Sequence, residues 1–160
     1  MTIIPEKAKS IDFENGGFQN VGTMQDMRNQ YDITDPGREF AVSRPVIYND
    51  FAANHLKTDD VHLHRLVWIK ANEQDFIKAI EHPEIIEKSL RRRSDGYYSA
   101  THLVKVSFPT NSGDEYMVVA ISLSKDKETI SYHQITTIHN KPKKDIFKKD
   151  GTIRDKYKEV

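Results

Sequence analysis

Three groups of residues in this 160-residue chain carry the side chains that proton transfer beside an anion requires. They are His62, His64 and Arg65; the run Arg91 to Arg93; and Ser131, Tyr132 and His133. Histidine exchanges protons near neutral pH, and the arginine guanidinium holds phosphate through a planar set of donors. Together these residues predict acid–base chemistry on a phosphate ester, with the catalytic set His62, His64, Arg65, Arg92, Ser131 and His133.

Each group also has a second interpretation. His62 and His64 have the spacing of metal ligands if they lie on a strand, or they are surface residues. Three successive arginines are also typical of a solvated strand end, where Arg92 points away from its two neighbours. Alternation on a strand puts Ser131 and His133 on one face and Tyr132 on the other, where a tyrosine is often buried.

Composition excludes several kinds of site. The chain has no cysteine, which removes disulfides, thiolate metal sites and cysteine nucleophiles. It contains no DxD and no HExxH motif, so we expect no metal and no other cofactor. No apolar run approaches the roughly 20 residues of a membrane span, and the first residues lack the apolar stretch of a secretory signal. We therefore expect a cytoplasmic protein without membrane contact.

Charge is unevenly distributed although the net charge is +0. Residues 1–60 hold 6 basic and 10 acidic residues, whereas residues 61–160 hold 18 and 14. We predict an acidic lead-in segment with short helices over 1–60, an α+β core over 61–140 and a basic, exposed tail over 141–160. The basic part is the better candidate for binding a polyanion.

The elements that must position these residues follow from hydrophobic patterns and turn signals. Short helices are expected over 22–31 and 47–57, while the segment 61–70 fits a helix or a strand. Asn72 predicts the cap of a helix that ends before Pro83, and a second short helix is expected to begin at Pro83 and bury Ile85 and Ile86. Strands are predicted near 89–93, 97–108, 115–123 and 128–138, with 115–123 in the centre. The predicted fold class is α+β, in which an N-terminal helical and irregular segment precedes a four-stranded antiparallel β-meander.

The order of these pieces resembles a known group of enzymes over roughly residues 60–138. The segments that carry the resemblance are the histidine-bearing segment, "AIEHPEIIEKSLRRR", a tyrosine-rich strand, "MVVAISL" and "TISYHQIT". They resemble the phage-encoded nucleases of the barnase–EndoU–colicin–RelE superfamily. The resemblance implies cleavage of RNA without a metal, with His62 or His64 as the histidine, Arg65 or Arg92 as the cation, and Ser131 and His133 on the last strand.

The function that we expect is a metal-independent endoribonuclease of the toxin or phage effector type, acting on tRNA or mRNA by attack of the ribose 2′-hydroxyl. RNA would be held by Arg91, Arg93, Lys105 and Tyr132, and a cognate inhibitor or immunity protein is a candidate partner. Two alternatives are a non-catalytic module that binds nucleic acid or protein, and a metal-dependent phosphoesterase that uses His62 and His64.

Overall fold

The computed structural model describes residues 3–25, 30, 43–88, 91–92, 102–123 and 132–160. Its strands are β1 (Phe18–Met24), β2 (Arg44–Asn49), β3 (Ile85–Glu87), β4 (Arg91–Arg92), β5 (His102–Pro109), β6 (Glu115–Leu123), β7 (His133–Pro142) and β8 (Tyr157–Glu159). Its α-helices are α1 (Asp50–His55), α2 (Asp60–Ala71) and α3 (Glu73–Glu81). Within the described residues, no helix is long and apolar enough to cross a membrane.

All eight strands belong to one mixed sheet. Seven follow the order β1-β2-β7-β6-β5-β3-β8, and β4 pairs with β5. The strands β5, β6 and β7 are antiparallel neighbours, whereas β2 runs parallel to β7. The predicted four-stranded meander behind an N-terminal helical segment is therefore wrong, because the sheet also recruits β1, β2, β3 and β8.

The N-terminal residues are part of the sheet and its core. A helix was expected to begin at residue 22, but residues 18–24 form β1. In the segment 47–57, where a second helix was expected, β2 continues to Asn49 and α1 begins at Asp50. Phe13 contacts the rings of Tyr48 and Phe76 at centroid distances of 5.2 and 5.3 Å, and Tyr48 donates a 2.6 Å hydrogen bond to the Phe13 carbonyl. The predicted boundary at residue 60 therefore lies within one hydrophobic core.

Two further elements test the local sequence patterns. The helix after Asn72 is confirmed as α3, which buries Phe76, Ile77 and Ile80 against the sheet. The short helix predicted after Pro83 is wrong: Ile85 and Ile86 lie in β3, where they pair with β5 on one side and β8 on the other. Both are buried as predicted, but cross-strand partners stabilise them in place of helical neighbours.

The two faces of the sheet are covered differently. Strand β6 is central as predicted, and its Met117, Val119 and Ile121 belong to the main core, which the helices cover. On the other face, the C-terminal segment forms a second hydrophobic cluster in which Ile146 and Tyr157 pack with residues of β3 and β6. Residues 141–160 are therefore a folded part of the protein, although most of their side chains are exposed.

Candidate functional site

The junction between α1 and α2 brings two histidines together. Asn49 caps α1 through a 3.1 Å hydrogen bond from the Phe51 amide, and Asp59 caps α2 through a 2.9 Å bond from the His62 amide. Leu56, which is fully buried, fixes the short connection between the helices. His55 at the end of α1 and His62 in the first turn of α2 consequently lie edge to face, with ring centroids 4.6 Å apart.

The orientation of His62 is set by its neighbours. Its Nδ1 lies 2.7 Å from Asp59 Oδ1 and 3.2 Å from Thr58 Oγ1. Hydrogen bonds from the His62 backbone and then from its side chain lower the pKa of Asp59, so the carboxylate is ionised and can only accept. Nδ1 of His62 is therefore the donor in this pair, and Nε2 is the ring nitrogen left for another partner.

Arg65 lies on the same side of α2 as His62, one turn further along. Its Nε donates a 3.0 Å hydrogen bond to Asn140 Oδ1 on β7, and Asn140 Nδ2 donates a 3.1 Å bond to Glu115 Oε2. Burial lowers the pKa of His55, and the charges of His62 and Arg65 lower it further. His55 is therefore a neutral imidazole at neutral pH, able to accept a proton.

Strand β7 connects this junction to a group of basic residues. The pairing of β7 with β2 covers only His133 and Gln134, and α1 and α2 also pack against β7. Next to Asn140, His139 has its pKa lowered to about 4, first by burial and then by the cations Lys105, Lys141 and Arg65, although Glu87 opposes the shift. Burial, with cations from three elements acting through their charge, thus keeps this histidine neutral at neutral pH.

Lys141 is held in place at the end of β7. Its Nζ donates a 2.9 Å hydrogen bond to the Tyr157 hydroxyl and lies 3.5 Å from Oε1 of the buried Glu87. Burial alone would lower the pKa of Lys141, but the bond with Tyr157 and the charge of Glu87 outweigh burial and raise it. Lys141 therefore remains a cation despite its partial burial.

The structure separates the predicted catalytic residues. His62 and Arg65 belong to the cluster at the junction, but His64 points elsewhere on α2 and contacts Trp68, with ring centroids 4.9 Å apart. His133 is fully buried beside Val46 of β2, so the prediction that it faces a substrate is wrong. Two histidines two residues apart on a helix point in different directions, which also removes the interpretation of His62 and His64 as paired metal ligands.

The other predicted residues have the following positions. Arg91 and Arg92 form β4 and pair with Leu103 and His102 of β5, whereas Arg93 and Ser131 lie outside the described residues. Lys105 lies on β5 close enough to His139 to lower its pKa. Tyr132 precedes β7 and packs edge to face against Phe18, with ring centroids 5.1 Å apart.

Four residues near the catalytic candidates were not predicted from the sequence to be site residues: His55, Asp59, His139 and Asn140. The sequence contains one signal that could have identified Asp59. Asp59 precedes an apolar segment and is a good helix N-cap, which would have favoured a helix for 61–70 over a strand. A helix starting there puts His62 and Arg65 on one side and His64 on another. Nothing local identifies His139 and Asn140, because their neighbours come from α2 and β5.

No protein-family model, curated protein or solved structure matches the chain. Within the described part of the chain, no group of three or more His, Asp or Glu side chains could hold a metal ion. The chemistry of the cluster must therefore be judged from its own groups. A neutral histidine, a second histidine oriented by a carboxylate and an arginine one turn away are the groups needed to move two protons beside a phosphate.

Proposed function

We propose that the protein is a metal-independent ribonuclease whose catalytic residues are His55, His62 and Arg65. The observation that carries the proposal is the contact between the His55 and His62 rings, 4.6 Å apart at their centroids, with Asp59 bonded to the second ring. Two histidines at this separation can both reach one phosphodiester, and Arg65 supplies a cation on the same side.

The reaction uses the hydroxyl of the substrate as its nucleophile. His55, whose pKa is lowered by burial, takes the proton of the ribose 2′-hydroxyl. The 2′-oxygen attacks phosphorus, and protonated His62 gives its Nε2 proton to the departing 5′-oxygen. The products are a 2′,3′-cyclic phosphate and a 5′-hydroxyl, and each histidine ends with the proton state in which the other began.

The neighbouring groups support the charged species. The Asp59 carboxylate orients His62 and compensates the positive charge of its protonated ring. Arg65 stabilises the negative charge that develops on the phosphate oxygens, and its bond to Asn140 restricts the guanidinium.

The biological setting remains that implied by the family resemblance. We propose tRNA or mRNA as the substrate, the cytoplasm of a bacterial or phage-infected cell as the location, and a toxin or phage effector role. A cognate inhibitor or immunity protein would then have to cover the His55 and His62 rings.

A non-catalytic RNA-binding module is the second candidate. It is favoured by Lys105 and Lys141, which lie near His139 and whose positive charges attract a phosphate whether or not a reaction follows. This candidate needs no proton transfer at His55 or His62.

One experiment separates these possibilities. The full chain is incubated with an RNA oligonucleotide and with DNA of the same sequence in excess chelator. The proposal predicts cleavage of RNA only, because DNA lacks the 2′-hydroxyl. Binding of RNA without cleavage would favour the second candidate, equal cleavage of DNA would contradict the mechanism, and loss of activity caused by the chelator would point to a metal.

A further inference from the structure

A basic cleft lies on the C-terminal segment, outside the proposed catalytic residues. It has a volume of about 390 Å³. Its cationic wall consists of five residues, Lys143, Lys144, Lys148, Lys149 and Arg154. Asp145 is the one acidic residue of the lining, and Phe147 is its aromatic residue. The cleft therefore concentrates positive charge next to a partly apolar surface.

The segment that carries these cations is folded. A 3-10 helix, Lys143–Asp145, leads into a turn that is closed by hydrogen bonds between Lys148 and Thr152 and by the bridge Phe147↔Ile153. Ile146 is fully buried in the second hydrophobic cluster, where Phe147 and Ile153 also pack. The lysines thus project from a fixed backbone, which lowers the entropy cost of binding a ligand.

The charges of the cleft are offset only in part by neighbouring acids: Asp145 lines the cleft, and hydrogen bonds from Thr152 and then the charge of Lys148 lower the pKa of Asp150. Within the described part of the chain, none of the five cations forms an ion pair, although other lysines such as Lys70 and Lys78 do. Arg154 Nε donates a 2.8 Å hydrogen bond to the Lys144 carbonyl, which fixes the guanidinium at the cleft. Like charges held together in this way repel one another, and a polyanion relieves that repulsion.

The cleft lies on the face of the sheet opposite the proposed catalytic residues. Its Phe147 packs with the second hydrophobic cluster, whereas α1 and α2, which carry the catalytic residues, cover the main core. Lys141, which is bonded to Tyr157 of the second cluster, lies on the same face as the cleft. The cleft is therefore a binding surface separate from the catalytic residues.

We propose that this cleft binds the sugar-phosphate backbone of single-stranded RNA at a surface separate from the proposed catalytic residues. The inference rests on the proposed function for the identity of its ligand. Lys143, Lys144, Lys148, Lys149 and Arg154 bind phosphates, and Phe147 offers a ring on which a base can stack. The cleft raises affinity for long RNA and does not take part in the chemical step.

The test compares two triple variants of the full chain. Lys144→Gln/Lys148→Gln/Lys149→Gln removes three charges of the cleft, and Lys9→Gln/Lys70→Gln/Lys78→Gln removes three exposed charges elsewhere. Binding is measured against salt with 2′-O-methyl RNA of about 20 nucleotides, which cannot be cleaved. The cleft variant should bind at least about 10-fold more weakly at low salt, with a salt slope smaller by about 2, while the control matches the wild type.

Cleavage of a dinucleotide separates the cleft from the catalytic site, because this substrate is too short to reach both. The cleft variant should cleave it at the wild-type rate. Unchanged affinity and salt slope for the long RNA, or an equal loss in the control variant, would overturn the proposal, as would binding of anionic lipid vesicles in place of RNA. If no substrate is cleaved, the proposed catalysis fails, and the binding measurement still decides the role of the cleft.

Discussion

At the scale of residues, His62 and His64 form a matched pair for testing the catalytic proposal. They lie on the same helix, but only His62 contacts Asp59 and His55. His62→Ala should lower the rate of RNA cleavage by roughly 10²–10⁴-fold, the usual contribution of a general acid or base. His64→Ala should cleave at the wild-type rate. Equal loss in the two variants, with melting temperatures unchanged, would contradict the assignment.

His139 makes the stability of the protein depend on pH. Its pKa is about 4 in the folded chain and 6.5 without the fold, so the unfolded state binds a proton between these values that the folded state does not. Stability should therefore fall as pH decreases from about 6.5 to 4, and His55, whose pKa is also lowered, acts in the same direction. His139→Gln should reduce the dependence of the melting temperature on pH in this window. A variant with the wild-type pH dependence would refute this role.

How much of the site could be predicted differs from residue to residue. The sequence shows a histidine, His62, and a cation, Arg65, close together, and the structure places both near His55. His133 could not be judged in the same way, because alternation along a strand identifies two faces but not which one is buried. The answer depends on β2, which lies next to His133 in the sheet although it is far away in the chain.

At the scale of elements, the loop before β1 is docked on the start of α1. Gly16 and Gly17 both have φ of 71°, but a Cβ on Gly16 would lie 2.8 Å from the Asp50 Cα, whereas one on Gly17 would meet nothing within 4 Å. Gly17→Ala should show only the cost of the left-handed backbone. Gly16→Ala should destabilise the protein by about 1–3 kcal/mol more, because the backbone of α1 must move.

Chemical denaturation of the two variants measures this difference, since they share the backbone conformation and the added methyl group. Equal unfolding free energies would show that the loop is not held against α1. The Gly17 amide donates a 2.8 Å hydrogen bond to Asp50 Oδ1. A Cβ on Gly16 would also lie 2.8 Å from this oxygen, whereas a Cβ on Gly17 would not meet it.

Elements with a strong local pattern could be predicted, and short elements could not. The apolar segment of β6 and the periodic segment of α3 contain enough residues to define their own period, although the Asn72 side chain makes no cap hydrogen bond at the start of α3. The three residues of β3 are too few to define a period, and the preceding Pro83 is a residue that is common in the first turn of a helix. Their strand conformation comes from pairing with β5 and β8, which the local sequence does not encode.

At the scale of the whole molecule, the acidic N-terminal residues belong to the fold. Val21, Met24, Val46 and Tyr48 are fully buried, and β2 supplies the parallel partner of β7. A truncated chain of residues 58–160 should therefore lose cooperative thermal unfolding, because it exposes the core that β1, β2 and α1 cover. A cooperative transition in the truncated chain would contradict this and would show that residues 1–57 are separable from the rest of the fold.

The overall topology was the least predictable feature. A pattern of consecutive strands with short turns favours a meander, and β5, β6 and β7 do follow one another in this way. The parallel contact of β2 with β7 and the return of β8 to β3 depend on residues far apart in sequence. Such pairings form because they bury side chains in the assembled sheet, and the sequence of a single segment does not show which partner strand does so.

The proposed function depends on attack by a ribose hydroxyl at the His55 and His62 pair. The most direct measurement uses a DNA oligonucleotide that contains a single ribonucleotide, incubated with the wild type, His55→Ala and His62→Ala in excess chelator. The wild type should cut only on the 3′ side of the ribose and leave a 2′,3′-cyclic phosphate, and both variants should lose this activity. An intact oligonucleotide, cleavage at other positions, or a wild-type rate in either variant would contradict the proposed mechanism.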